Sequence, residues 1–147
     1  MAKSKPIDEL RRVMARLRAP DGCPWDREQN HMSIRLCAVE EVYELVDAIE
    51  AADDGEMVEE LGDLLLQVVF HAQMASERGA FDFDEVAKHI TQKLVRRHPH
   101  VFGDQKADGA FHAKQNWETA KQQEKKRELS LIHISEPTRR TPISYAV

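Results

Sequence analysis

Apolar residues recur every three or four positions along most of this chain, and this spacing constrains its fold more than any other feature. It matches one face of an α-helix, and nothing before the last residues alternates like a strand. We therefore predict an all-α protein. The expected helices span about 6–18, 32–52, 56–78, 82–97 and 110–128, the fourth capped by Asp82 or Asp84.

The second and third predicted helices are separated only by Asp53-Asp54-Gly55, a sequence typical of a turn. They should therefore form an antiparallel helical hairpin. Apolar residues lie on several sides of it, among them Val42, Val46, Leu65 and Val68. A two-helix hairpin cannot cover all of these by itself, so we expect a homodimer.

Charge and cysteine content exclude several classes of protein. The chain has 26 acidic and 21 basic residues, whereas a nucleic-acid-coating domain is normally basic. Cys23 and Cys37 are too few for a disulfide framework and lack zinc-site spacing. No segment resembles a signal peptide or is long enough to span a bilayer. We expect a cytoplasmic protein that binds neither nucleic acid nor membrane.

The length of 147 residues fits one domain, which we assign to residues 1–129. The segment 130–147 contains two prolines and has no amphipathic period. We expect it to be disordered. We interpret it as a non-native tail, because it resembles translated cloning or sequencing-adapter sequence in place of a native C-terminus.

The two hairpin helices carry related acidic segments, EEVYE and EELGD. Residues three apart share one face of a helix, so Glu41 pairs with Glu44 and Glu60 pairs with Asp63. Both pairs border the apolar side, which predicts that all four acids are partly buried. If the chain turns at Asp54, Glu44 and Asp63 lie at nearly the same height, and Glu41 and Glu60 flank them.

Four carboxylates beside an apolar seam repel one another and lose hydration, at a cost of several kcal/mol per uncompensated ion. A divalent cation would offset this cost, and all-oxygen ligation suits Mg²⁺ or Mn²⁺ better than zinc. Gly62 would allow close approach of another helix or a ligand. The alternative is a solvated acidic face, which is the usual role of any single glutamate at helical spacing. Duplication of the pattern on adjacent helices favours metal binding.

The run EEVYE, followed after a spacer of fifteen residues by ELGD, resembles the EExxE and ExxD signature of the MazG family. This family belongs to the all-α nucleoside triphosphate pyrophosphohydrolases. Four further segments resemble MazG: GCPWD, LLLQVVFHA, KLVRRHPHVF and NWE. The resemblance covers about residues 7–127.

The resemblance implies a homodimer in which two helical hairpins pack into a four-helix bundle, with flanking helices. It assigns four acids to Mg²⁺, with Mn²⁺ as the other suitable ion: Glu41, Glu44, Glu60 and Asp63. It assigns four further residues to the substrate, the basic ones to triphosphate oxygens: Lys93, Arg96, Arg97 and Trp117. Without the family, the three basic residues equally fit cations favoured by a helix C-terminus.

The activity implied is Mg²⁺-dependent hydrolysis of a nucleoside triphosphate to nucleoside monophosphate and pyrophosphate, by water attacking the α-phosphorus. The four metal-binding acids and Glu40, a candidate base or orienting residue, form the predicted catalytic set. We interpret His71, His98 and His100 as packing or capping residues. No residues form an evident base-reading pair, so we expect several nucleotides to be accepted.

The chain departs from the family's usual pattern in one respect. MazG proteins commonly contain two tandem copies of this domain, and the CPWD and RRHPHVF segments match the N-terminal copy. An alternative function is therefore a catalytically weak N-terminal domain that acts in dimerisation or regulation. A second alternative is a dUTPase-like enzyme or a phosphoribosyl-ATP pyrophosphatase of the same superfamily.

Overall fold

The computed structural model describes residues 5–135, and every regular element within that range is a helix. In chain order these are α1 (Pro6–Leu17), α2 (Pro24–Glu28), α3 (Cys37–Ala51), α4 (Asp54–Glu77), α5 (Phe83–Arg97), α6 (Pro99–Phe102) and α7 (Ala110–Ser135). The all-α prediction is confirmed. None of these helices is both long and apolar enough to span a bilayer.

Helices α1, α4 and α5 lie within two residues of their predicted bounds, but α3 begins five residues later than expected. Turns occupy residues 31–36 instead. The side chain of Asn30 accepts hydrogen bonds from the backbone N–H groups of Met32 and Ser33, at 2.9 and 3.0 Å. The Arg35 guanidinium also donates to the Met32 carbonyl. These local side-chain bonds compete with a regular helical start.

Two short helices occupy segments that were expected to be loops. Both α2 and α6 begin with a proline, whose missing N–H and fixed φ suit the first helical position. Proline therefore starts a helix in both segments. Helix α7 also continues past its predicted end at Glu128 to Ser135, into the segment expected to be disordered. Residues 136–147 of that segment lie outside the described range.

The chain divides into two compact units between Lys88 and His89, within α5. The predicted domain 1–129 spans both. In the first unit, five buried residues from α1, α4 and the turns before α3 form a core: Met14, Ile34, Val69, Phe70 and Met74. Partly buried apolar residues such as Leu10, Leu66 and Phe83 pack around it. This core anchors the C-terminal half of α4.

The predicted hairpin of α3 and α4 is confirmed, and only Ala52 and Asp53 connect the two helices. Ala52 has a left-handed backbone with φ of 54°, which is uncommon for a residue with a side chain. The Asp53 carboxylate accepts hydrogen bonds from the N–H groups of Gly55 and Glu56, at 2.9 and 3.1 Å. Asp53 is therefore the N-cap residue of α4, which begins at the next residue.

The GCPWD segment folds tightly against the end of α1. A Cβ atom at Gly22 would lie 2.1 Å from the carbonyl oxygen of Leu17, so only glycine fits at this position. The Cys23 N–H donates to the same carbonyl at 2.7 Å. Pro24 then begins α2.

Arg18 joins three helices of the first unit. Its side chain is only 9% exposed, and Nε and Nη2 donate to the two carboxylate oxygens of Glu77, at 2.7 and 2.8 Å. Nη1 donates to the carbonyls of Asp26 and Gln29 at the end of α2. The guanidinium carbon lies 5.7 Å from the centroid of the Phe70 ring. Hydrogen bonding to Arg18 lowers the pKa of Glu77.

Substitution of Arg18 by methionine should lower the free energy of unfolding by ~1–3 kcal/mol, because it leaves partly buried carbonyls without a donor. Part of the loss should depend on pH. Glu77 has a lowered pKa in the folded state, so its contribution is fully present above its unfolded pKa of about 4.3 and is lost as pH falls through the folded value. Denaturant unfolding of both proteins between about pH 7 and pH 3 measures this.

The matched control is Arg16→Met, which removes a guanidinium whose ion pair with Asp21 is exposed, at 61% and 79%. Such a pair contributes little, so this variant should stay close to wild type. A loss for Arg18→Met that matched the control, or that stayed the same at both pH values, would contradict the proposed role of the Arg18–Glu77 pair.

Candidate functional site

Helices α3 and α4 bring three of the four predicted metal-binding acids together. Glu41 from α3 and Glu60 and Asp63 from α4 each offer a carboxylate oxygen, and these three oxygens lie within 4.8 Å of one another. All three side chains are half-buried, as predicted. Among the side chains of residues 5–130, no other three acidic, histidine or cysteine groups come this close. We call this group the carboxylate cluster.

Glu44 differs from the prediction, because it is exposed and lies outside the carboxylate cluster. Its carboxyl lies within hydrogen-bonding reach of Glu60. The charge of Glu44 thus acts on Glu60 across the hairpin, as that of Asp63 acts on Glu41. The chain reverses at Ala52–Asp53, slightly earlier than the assumed turn at Asp54, and the predicted level of Glu44 with Asp63 stays a prediction.

Burial and mutual repulsion perturb the acids of this cluster. Burial raises the pKa of Glu41, and the negative charges of Asp63, Glu44 and Glu40 raise it further. Burial also raises the pKa of Glu60, to which the charges of Glu44, Asp63 and Glu41 add. Both groups hold their protons more strongly than isolated glutamates do, which is the effect expected of crowded carboxylates.

One oxygen of the carboxylate cluster lacks a partner within the described part of the chain. The Oε2 atom of Glu60 is buried and has no hydrogen-bond donor. A buried carboxylate oxygen without a donor is costly, and a bound cation would satisfy it. The cluster offers only oxygen ligands, which suit a hard divalent ion. A Cβ atom at Gly62 would meet no atom within 4 Å, so this chain alone makes no close approach there.

Glu40, the predicted base or orienting residue, lies next to the carboxylate cluster on α3. Its side chain is exposed, and its charge contributes to the raised pKa of Glu41. The structure thus places Glu40 at the solvent side of the cluster.

In the second unit, the predicted phosphate-binding arginines meet an acid that the sequence analysis did not single out. Glu124 of α7 accepts hydrogen bonds from Arg96 Nε at 3.1 Å and from Arg97 Nη2 at 2.7 Å, one on each carboxylate oxygen. These bonds lower the pKa of Glu124. Lys93 lies one turn before Arg97 on α5 and is half-buried.

Trp117 lies in the same part of the second unit as the arginines. The Arg97 guanidinium carbon is 5.1 Å from the Trp117 ring centroid, and Lys121 Nζ is 4.9 Å from it. Both cations interact with the ring through its electron-rich face. Trp117, Lys121 and Glu124 recur at spacings of four and three, so they share one face of α7. In the sequence, only this spacing from Trp117 could have indicated that Lys121 and Glu124 belong to the same group.

Histidines form two smaller arrangements. His31 and His71 stack with nearly parallel rings, and their Nδ1 atoms are 2.7 Å apart. Burial lowers the pKa of His71, and the charge of His31 lowers it further. Nδ1 of His98 lies 2.6 Å from the carbonyl of Leu94 at the end of α5. The packing and capping roles expected for His71 and His98 are thus confirmed, whereas the His31 contact was not predicted.

Comparison with known proteins gives a family match over residues 29–102, to the MazG nucleotide pyrophosphohydrolase domain. A Thermotoga maritima protein named nucleoside triphosphate pyrophosphohydrolase/pyrophosphatase MazG is 50% identical over 124 residues, which are 84% of this chain and 47% of that protein. The Escherichia coli K12 nucleoside triphosphate pyrophosphohydrolase is 49% identical over 120 residues, covering 81% and 46%. A Mycobacterium tuberculosis protein of the same name is 40% identical over 118 residues, covering 78% and 36%.

This chain spans about half the length of the T. maritima and E. coli relatives. The family match includes the whole hairpin, and with it the carboxylate cluster and both arginines bound by Glu124. Trp117 and Glu124 lie beyond the matched residues. Since the match covers half of the chain and close relatives carry the same family name, the chain belongs to the MazG nucleotide pyrophosphohydrolase domain family.

Proposed function

We propose that this chain hydrolyses nucleoside triphosphates to nucleoside monophosphates and pyrophosphate, using a divalent cation bound at the carboxylate cluster. The observation that carries the proposal is the convergence of three half-buried carboxylates within 4.8 Å in a member of the MazG family. The pyrophosphohydrolase names of its relatives support the same reaction. In this proposal residues 1–129 form the functional domain, and the protein acts in the cytoplasm.

The chemistry of the cluster favours Mg²⁺, with Mn²⁺ as a substitute. Mg²⁺ takes six oxygen ligands and usually keeps several waters, so three or four carboxylates leave positions for substrate phosphates. Glu41, Glu60 and Asp63 would bind the ion, with the exposed Glu44 beside Glu60 as a fourth ligand. Zinc would instead favour histidine and cysteine, which are not part of the cluster.

A divalent ion held by these acids would supply compensation for the triphosphate charge and activation of the water that attacks the α-phosphorus. Glu40 would accept the proton of that water, because its exposed carboxylate lies beside the cluster without belonging to it. No covalent intermediate with a protein side chain is required.

The basic residues would bind the phosphate oxygens and the leaving pyrophosphate. Arg96 and Arg97 present planar guanidinium groups that match a phosphate in a bidentate way, and Lys93 adds a positive charge one turn away. Trp117, which holds Arg97 over its ring, would lie near the nucleotide. None of these groups selects one base, which is consistent with a broad substrate range.

The hairpin exposes an apolar surface that a second copy would cover. Val42 and Val46 on α3 are 44% and 43% exposed, and Leu65 and Val68 on α4 are 38% and 40% exposed. We therefore propose a homodimer in which two hairpins pack into a four-helix bundle. The open space beside Gly62 fits the same arrangement, because a helix or a ligand could approach closely there.

With millimolar Mg²⁺, the protein should release pyrophosphate and a nucleoside monophosphate from several ribo- and deoxyribonucleoside triphosphates. Discrimination among bases should stay below about a thousandfold. Glu41→Gln should lower turnover at least ~100-fold, because it removes a charged ligand. Coupled pyrophosphate release, with chromatography of the nucleotide product, measures this.

Glu59→Gln is the control, since it removes an exposed acid of α4 that lies outside the carboxylate cluster, and it should retain turnover. Three results would count against the proposed reaction: orthophosphate as the product, hydrolysis without a divalent ion, or equal turnover in Glu41→Gln and Glu59→Gln. Absence of hydrolysis by the wild type would favour the alternative function, a catalytically weak domain that acts in dimerisation or regulation.

Asp63→Asn should leave the metal-free protein no less stable than wild type. Raised folded-state pKa values of Glu41 and Glu60 mean that the cluster loses stability as pH rises above their unfolded value of about 4.3. Removing one charge relieves that repulsion. Added Mg²⁺ should raise the melting temperature of the wild type and raise that of the variant much less. Thermal unfolding with and without millimolar Mg²⁺ tests this, and equal metal stabilisation of both proteins would exclude Asp63 as a ligand.

Leu65→Glu should convert the dimer to a monomer, because it places a charge in the apolar surface that the second copy covers. Val13→Glu, which alters an exposed valine on α1 (51% exposed), is the control and should remain dimeric. Light scattering at micromolar concentration measures the mass, and circular dichroism checks that both variants stay helical. A monomeric wild type, or a dimeric Leu65→Glu, would refute this interface.

A further inference from the structure

In the second unit, one carboxylate holds both arginines to which we assign phosphate binding. Arg96 Nε and Nη2 lie 3.1 and 3.0 Å from Oε1 of Glu124. Arg97 Nε and Nη2 lie 3.1 and 2.7 Å from Oε2. Each guanidinium thus directs two nitrogens at one carboxylate oxygen. Phosphate oxygens bind guanidinium groups through the same donors.

We infer that Glu124 is an internal competitor for phosphate, which occupies Arg96 and Arg97 in the free protein and is displaced when a polyphosphate binds. The inference rests on the proposed function, because that proposal assigns phosphate oxygens to these two arginines. A carboxylate and a phosphate oxygen cannot use the same N–H donors at the same time. Binding of the substrate therefore includes the cost of breaking the Glu124 contacts.

The partial exposure of Arg96, Arg97 and Glu124 suits an exchange in which phosphate replaces Glu124 on the arginines. The Arg97 side chain is 12% exposed and that of Glu124 24% exposed, so their contact is partly shielded from water. The Arg96 side chain is 54% exposed and accessible to a ligand from solvent. The lowered pKa of Glu124 keeps it ionised at neutral pH, so it remains an effective competitor.

Neighbouring groups can hold Arg97 and Glu124 after a phosphate has separated them. Arg97 lies over the Trp117 ring, and this contact does not involve Glu124, so the guanidinium stays in place. Lys121 lies three residues before Glu124 on α7, which is a spacing at which opposite charges interact along a helix. The released carboxylate can therefore pair with Lys121.

Competition of this kind selects for highly charged ligands. A triphosphate carries several negative charges and can engage both arginines, whereas a monophosphate has fewer charges with which to displace Glu124. The apparent affinity of any ligand falls by the fraction of time the arginines are free. If they are free about one tenth of the time, every ligand loses roughly tenfold in affinity, and at a given concentration only the tightest, most highly charged ligands stay bound.

The test is calorimetric titration of the full chain with inorganic tripolyphosphate and, separately, with orthophosphate. Glu124→Gln keeps the shape of the side chain but removes its charge, and it should bind tripolyphosphate roughly tenfold more tightly than wild type. It should also bind orthophosphate more tightly than wild type does. Glu124→Asp keeps the charge on a shorter side chain and should show a smaller gain. Glu128→Gln, one turn further along α7 and exposed, should bind as wild type does.

A purely structural role for Glu124 predicts another result. Glu124→Gln would then melt at a lower temperature and bind tripolyphosphate no better than wild type, and Glu124→Asp would also show no gain. That result would overturn the inference. A gain in Glu124→Gln that persisted after Arg96 and Arg97 were both replaced by methionine would overturn it as well, because the arginines would not be the site of competition.

Hydrolysis assays separate this inference from the proposed function. If the wild type hydrolyses nucleoside triphosphates and KM for Glu124→Gln is not lowered, the competition fails and the proposed function stands. If the wild type shows no hydrolysis but Glu124→Gln binds tripolyphosphate more tightly through its arginines, the proposed reaction fails and the competition stands. A KM lowered roughly in proportion to the gain in tripolyphosphate affinity supports both.

Discussion

The reversal between α3 and α4 determines which side chains meet along the hairpin. Ala52 adopts a left-handed conformation and the Asp53 carboxylate caps α4, so the two helices reverse over only two residues. Moving this reversal by one residue would rotate the acids of one helix by about 100° relative to those of the other. The convergence of Glu41, Glu60 and Asp63 therefore depends on one short turn. The buried core and Arg18 then hold the far end of α4.

The sequence predicted most helices well, because their apolar residues follow the helical period closely. It failed where side-chain hydrogen bonds compete with that period. Asn30 and Arg35 bind backbone groups ahead of α3, and periodicity contains no information about such contacts. It also failed at Pro24 and Pro99, because proline ends one helix and suits the first turn of another.

The candidate site was predictable to the extent that its residues are neighbours along one helix or across a short hairpin. Spacing alone predicted that Glu41, Glu60 and Asp63 converge, but it did not predict that Glu44 is exposed and lies outside their cluster. Glu124 lies 27 residues from Arg97, and its partners depend on how α5 and α7 pack, which spacing does not reveal. The His31–His71 contact, over 40 residues, was missed for the same reason.

The close fit at Gly22 has a consequence for how chain length can vary in this protein. Between α1 and α2, the absent Cβ of Gly22, the bond from Cys23 to the Leu17 carbonyl and the reach of Arg18 to the end of α2 all require one loop length. An inserted residue would break all three contacts at once. The connection between α6 and α7 has a close fit at Gly103, where a Cβ would lie 2.9 Å from the Pro99 carbonyl oxygen, but the residues after it are largely exposed. Insertions and deletions should therefore accumulate there and not beside α1.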